Sequence, residues 1–77
     1  MKIYVKYFAS IRDIMGTECA NLDIEESISV DELWQGLIVG KETPQKVLVA
    51  VNYEYVNMNY KLKEGDEVAF FPPVTGG

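Results

Sequence analysis

The residues best placed to do chemistry stand at the C-terminus, Phe71-Pro72-Pro73-Val74-Thr75-Gly76-Gly77. There an apolar strand end runs into two prolines and then two glycines. Consecutive prolines hold an extended, polyproline-like course. Six such residues reach roughly 20 Å at ~3.1–3.4 Å per residue, far enough to enter another protein. Glycine has no Cβ, so Gly76 and Gly77 can pass through a channel too narrow for a side chain and set the α-carboxylate against a buried centre. That carboxylate is ionised at neutral pH and is a poor electrophile. Acyl chemistry on Gly77 therefore needs an activating partner, and adenylation by ATP would supply it. A terminal glycine pair is commonly just a frayed end; the Phe-Pro-Pro lead gives this one a mechanical sense.

The rest of the chain offers little reactive chemistry. With no histidine and a single cysteine among 77 residues, the common zinc and haem sites and the nucleophile–histidine pairs of hydrolases are closed off. No metal and no bound cofactor are expected. Cys19 has no partner for an internal disulfide, and nothing beside it in sequence marks it as a reactive thiol that would accept sulfur. Seven basic against twelve acidic residues give a net charge of −5, and the lysines are scattered, which argues against nucleic acid as a partner. The acidic clusters Glu25-Glu26, Asp31-Glu32 and Glu64 to Glu67 read as a solvated surface with the capacity to steer the protein toward a basic partner. No apolar run is long enough to cross a membrane and the start MKIYVKYF is unlike a leader, so a cytoplasmic location is the expectation.

A chain this short supports one core, and 48% hydrophobic with 25% charged residues suits a folded domain rather than a disordered one. Residues 1–77 are read as one domain, with 71–77 as a protruding tail. Lys2 to Phe8 alternates Ile3, Val5 and Tyr7 against Lys2, Tyr4 and Lys6, the period of a half-buried strand. A short helix is predicted over Ile11 to Met15, capped by Ser10, favoured by Asp13 at its start and left through Gly16. Alternation returns from Glu18 to Ile24 as a second strand. Ser29 and Glu32 form a capping box and Ile28 staples onto Leu33. Val30, Leu33, Trp34, Leu37 and Ile38 then make one helical stripe that Gly40 is placed to end. Pro44 restarts the chain into a third strand, Val47 to Val51, apolar on both faces. A short extended piece around Tyr55 and Val56, a turn over Leu62 to Asp66, and a last strand, Glu67 to Phe71, complete it. The simplest packing is an α+β fold, one mixed sheet with the main helix across one face.

One helix cannot cover both faces of that sheet. Tyr4, Phe8, Tyr55 and Phe71 are expected on the open face, where an exposed aromatic patch would dock a partner. This reading takes Phe70 inward and Phe71 outward; a register slip of one residue would exchange them. Trp34, on the helix stripe, is assigned to the core.

The run Gly65-Asp66-Glu67-Val68-Ala69-Phe70-Phe71-Pro72-Pro73-Val74-Thr75-Gly76-Gly77 resembles the C-terminus of molybdopterin synthase small subunits. Tyr7-Phe8-Ala9 with Ile11-Arg12, Gly16-Thr17-Glu18 and Val49-Ala50-Val51-Asn52 match as well, so the resemblance spans nearly the whole chain. It implies a ubiquitin-like β-grasp fold and a sulfur carrier in molybdenum cofactor biosynthesis. An E1-like enzyme would use ATP to adenylate Gly77, and a sulfur donor would convert it to a thiocarboxylate. The loaded tail would then enter the large synthase subunit, which holds the catalytic residues, to sulfurate cyclic pyranopterin monophosphate within a heterotetramer. The family's partner face carries over to Phe8, Tyr55 and Phe71, with Pro72, Pro73, Val74 and Thr75 leading the tail inward; many relatives hold an aliphatic residue at the place of Tyr55. A carrier for thiamine or tRNA thiolation, a ubiquitin-like modifier conjugated to lysines, and an interaction domain with an inert tail are the competing readings.

Overall fold

The computed structural model of the chain describes residues 1–43 and 46–73. Its elements run β1 (Lys2–Tyr7), α1 (Ala9–Met15), β2 (Cys19–Asp23), α2 (Val30–Leu37), β3 (Leu48–Val51), β4 (Glu54–Tyr55) and β5 (Glu67–Phe71). The five strands form one sheet in the order β2-β1-β5-β3-β4, with β1 and β5 parallel and the other neighbours antiparallel. This is the expected mixed sheet, in the β-grasp arrangement. Pro44, expected to restart the chain before the third strand, lies outside the described residues.

The inward phase of each strand builds the core. Ile3, Val5 and Tyr7 of β1, Val49 and Val51 of β3, and Val68 and Phe70 of β5 are buried together with Val30, Leu33 and Trp34 of α2. Trp34 meets Phe70 with ring centroids 4.7 Å apart, a contact of aromatic faces beyond simple area burial. Phe70 is therefore inside and Phe71 outside, as the alternation predicted. Leu62 is as deeply buried as the strand residues, although its sequence neighbourhood reads as a turn. It is held there because Leu62 N–H donates to the Ile28 carbonyl at 2.9 Å and Ser27 Oγ donates to the Leu62 carbonyl at 2.7 Å.

The main helix begins as predicted. Ser29 Oγ accepts from Glu32 N–H at 3.1 Å, and Glu32 Oε1 accepts from Ser29 N–H at 3.2 Å. The two residues thus satisfy each other's backbone donors. Helix α2 stops at Leu37 with Ile38 as its cap, and Gly40, at φ 76°, turns the chain two residues further on.

The short helix departs from expectation. It starts at Ala9, and its cap is Phe8, in extended conformation and without a side-chain cap bond. The Phe8 carbonyl accepts from Ile11 N–H at 3.0 Å, so the chain turns from β1 straight into the helix and Ser10 falls inside the first turn, where it cannot cap. Asp13 correspondingly lies mid-helix, away from the positive end of the dipole. Gly16 does supply the left-handed exit, at φ 73° with its N–H on the Arg12 carbonyl.

Candidate functional site

The sheet face turned away from α2 is organised by register. A row of paired residues crosses all five strands as Cys19, Lys6, Ala69, Ala50 and Tyr55. The next pair toward the C-terminal end of β5 is Phe71 opposite Leu48. Side chains on one face recur every second residue, so Phe71 stands beside Ala69, and Phe8 continues the outward phase of Tyr4 and Lys6. Alanine at both central positions leaves a low floor between taller neighbours.

Tyr55 and Phe71 meet edge to face, with centroids 5.6 Å apart. Tyr55 is 74% exposed and Phe8 is 47% exposed, open aromatic area of the kind that marks a docking surface. Phe8 N–H donates to the Phe70 carbonyl at 3.1 Å, which ties the first aromatic residue to the strand that carries Phe71. Three of the four residues predicted for the patch therefore gather at the end of the sheet from which the tail leaves. Tyr4 shares the face but pairs with Glu67, in the row beyond Lys6 and Ala69 and farther from the tail. Leu48, Ala50 and Ala69 complete the apolar floor, and sequence reasoning did not assign them; the alternation of β3 and β5 carried the signal.

One ion pair crosses this face. Lys6 Nζ lies 2.9 Å from a Glu67 carboxylate oxygen, and that hydrogen bond, together with the charge of Glu67, raises the Lys6 pKa above its ordinary value and keeps the ammonium charged. Cys19 is exposed next to Lys6 on the same row.

Pro72 and Pro73, predicted to lead the tail into a partner, are half-buried. Pro73 lines a groove with Trp34, Gln35, Leu48 and Met58, so the tail's first residues are held beside the body of the domain. Val74, Thr75, Gly76 and Gly77, including the residue expected to react, lie outside the described residues. Among the described residues no group of three or more acidic or cysteine side chains is placed to hold a metal ion, and no helix is long and apolar enough to cross a membrane.

Residues 5–77 match the model of the ThiS family. The chain belongs to the ThiS family. This ThiS chain is 37% identical to the molybdopterin synthase sulfur carrier subunit of Escherichia coli K12, across 97% of this chain and 99% of that protein. It is 34% identical to the subunit of the same name from Chlamydomonas reinhardtii, across the whole of both. Among solved structures, SAMP1 from Haloferax volcanii superposes over 100% of both chains with a TM-score of 0.80 at 24% identity, a likeness that speaks for the fold alone. A chain from the complex of subunits 1 and 2 of the molybdopterin-converting factor of Helicobacter pylori matches over 100% of both chains, with a TM-score of 0.68 and 26% identity. The ThiS domain thus has the ubiquitin-like fold expected of it, with an aromatic face set beside the exit of its tail.

Proposed function

We propose that this chain is the sulfur-carrier subunit of a molybdopterin synthase and that its own Gly77 is the group that carries sulfur. The observation that carries this reading is the end-to-end likeness to molybdopterin synthase sulfur carrier subunits. The aromatic face beside the tail supplies a docking surface of the kind a carrier needs.

In this reading an E1-like enzyme transfers AMP from ATP to the Gly77 carboxylate, releasing pyrophosphate. A sulfur donor then displaces AMP with a sulfide equivalent, leaving a thiocarboxylate. Phe8, Tyr55 and Phe71 dock on the large synthase subunit while Pro72, Pro73, Val74 and Thr75 aim the chain into its active site. The thiocarboxylate sulfur is a good nucleophile, and exclusion of water in the partner's pocket protects it from hydrolysis. Sulfuration of cyclic pyranopterin monophosphate follows on the large subunit, which supplies the catalytic side chains. The carrier needs none of its own, no metal and no bound cofactor, and ATP is consumed by the activating enzyme. The working assembly is a heterotetramer in the cytoplasm.

Intact-protein mass spectrometry after incubation with ATP, an E1-like activating enzyme and a sulfide source tests the carrier chemistry. The expected result is a mass gain equal to one oxygen replaced by sulfur, lost on deletion of Gly77. Adding the large subunit and cyclic pyranopterin monophosphate then tests the pathway, with molybdopterin as the expected product. A loaded carrier that yields no molybdopterin with a large subunit active on its own partner overturns the pathway. Covalent ladders on other proteins in its place would identify a modifier.

A further inference from the structure

The turn between β3 and β4 holds a residue that neither the backbone nor the core requires. Val51 pairs with Glu54, so the hairpin loop is two residues long, Asn52 and Tyr53. Both take positive φ, 51° and 71°, as the favoured two-residue hairpin turn demands. Asn52 fits its place. Its Oδ1 accepts from Glu67 N–H at 3.0 Å, its Nδ2 donates to Asp66 Oδ1 at 3.0 Å, and its backbone N–H donates to the Glu67 carbonyl at 2.8 Å. These bonds clamp the turn to the start of β5.

Tyr53 does not fit in that way. The second turn position suits glycine, and a bulky L-residue in the left-handed region is disfavoured by contact of its Cβ with the following carbonyl. Nor is Tyr53 recovering the loss through packing, since it is 88% exposed and absent from the core cluster. A strained residue that contributes nothing to the fold points to a role outside it.

Its surroundings say which. Asn52 ties the turn to the backbone of Glu67, whose carboxylate meets Lys6 Nζ at 2.9 Å on the outward face. Tyr53 therefore borders the outward face where β5 begins, at the end opposite Phe71. Glu67 and Phe71 are four residues apart on β5, about 13 Å along a strand. The face is continuous between them through Ala69 and Tyr55. Tyrosine offers a large rigid ring and a hydroxyl, which suits a protein surface that is part apolar and part polar. Glu54 follows Tyr53 in a chain of net charge −5, so a second copy of this chain would bring like charges together, whereas a partner with a basic rim would not.

We propose that Tyr53 is a specificity contact for the large synthase subunit, a second anchor that fixes how the sheet sits on that partner and hence where the tail points. The inference rests on the docking face proposed above. Phe71 holds the tail end of the face, Tyr53 the far end, and two anchors define an orientation that one cannot.

Calorimetric titration of the full chain against the large subunit, paired with thermal melts, tests it. Tyr53→Gly removes both the ring and the strain. It is expected to melt about 4 °C higher than the native chain and to bind about ten-fold more weakly. Tyr53→Asn tolerates positive φ with a short side chain and is expected to bind as weakly as Tyr53→Gly. Native affinity in either variant overturns the inference, and so does a lower melting temperature for Tyr53→Gly, which would mean that the turn needs the ring. Phe71→Ala is the control. If it weakens binding while the Tyr53 variants do not, only the second anchor is lost; if it binds like the native chain, the docking face itself is wrong.

Discussion

Gly77 and Phe71 are proposed to separate two tasks, chemistry and recognition, and single substitutions can pull those tasks apart. Among the described residues the buried core reaches no further along the chain than Phe70. Deletion of Gly77 is therefore expected to abolish thiocarboxylate formation while leaving the melting temperature unchanged; a large loss of stability would show that the last residue belongs to the fold. Phe71→Ala leaves the tail chemistry in place but removes the edge-to-face partner of Tyr55. It is expected to weaken binding to the large subunit by about 1–3 kcal/mol, read by calorimetric titration. Mass-spectrometric loading of Phe71→Ala, followed without the large subunit, separates a docking defect from a chemical one.

At the scale of the element, α2 is set by its first turn. Ser29→Ala removes the acceptor for Glu32 N–H and is expected to cost about 1 kcal/mol in chemical denaturation. The same cap gives the helix a pH response. Hydrogen bonds from the Ser29 backbone and hydroxyl, with a smaller contribution from the charge of Lys61, hold the Glu32 carboxyl below its ordinary value of 4.5. A carboxylate favoured in the folded state stabilises fully above its unfolded pKa, and that contribution is lost as pH falls through the lower folded value. Melting temperature should therefore fall on acidification below about pH 4.5, and Glu32→Gln should remove that part of the fall while keeping a capping side chain. Equal acid sensitivity in the variant would assign the effect to other carboxylates. Helix α1 shows how local signals mislead over short spans. Ser10 and Asp13 are good residues for a helix start, but the strand before them delivers the chain two residues earlier than they require.

The molecule as a whole is held by contacts that its loops make as much as its strands. Leu62 lies outside every helix and strand, yet it is 1% exposed. Leu62→Ala is expected to cost about 2–5 kcal/mol through lost burial and the cavity left behind, far more than its place in a turn suggests. Denaturant titration checks this, and a loss near zero would mean that the surrounding loop collapses into the space. Close by, Asp66 is buried and accepts from Asn52 Nδ2 at 3.0 Å and from Lys63 N–H at 2.8 Å. Its carbonyl takes Tyr4 N–H at 2.9 Å, so one residue joins β1, the β3–β4 turn and the approach to β5. The aromatic face lies across this framework, and its shape follows from how rigidly the framework holds the strands in register.

Periodicity by itself determined the strands, the main helix and the side each presents, because apolar and polar residues alternate at two in β1 and β5 and at 3.6 in α2. Local chemistry determined the capping box and the left-handed exit at Gly16, since those signals lie within a few residues of one another. The expectation of a narrow, extended tail from Pro72 to Gly77 comes from the residue types alone. Only the tertiary structure decided that Phe8, Phe71 and Tyr55 stand at one end of the face while Tyr4 stands at the other. Strand order and register are contacts between residues distant in sequence, and alternation gives a side without giving a neighbour. It also decided that Leu62 is core and that Tyr53 takes a positive φ in an exposed turn. The first depends on which loop covers the sheet edge, and the second on a hairpin only two residues long.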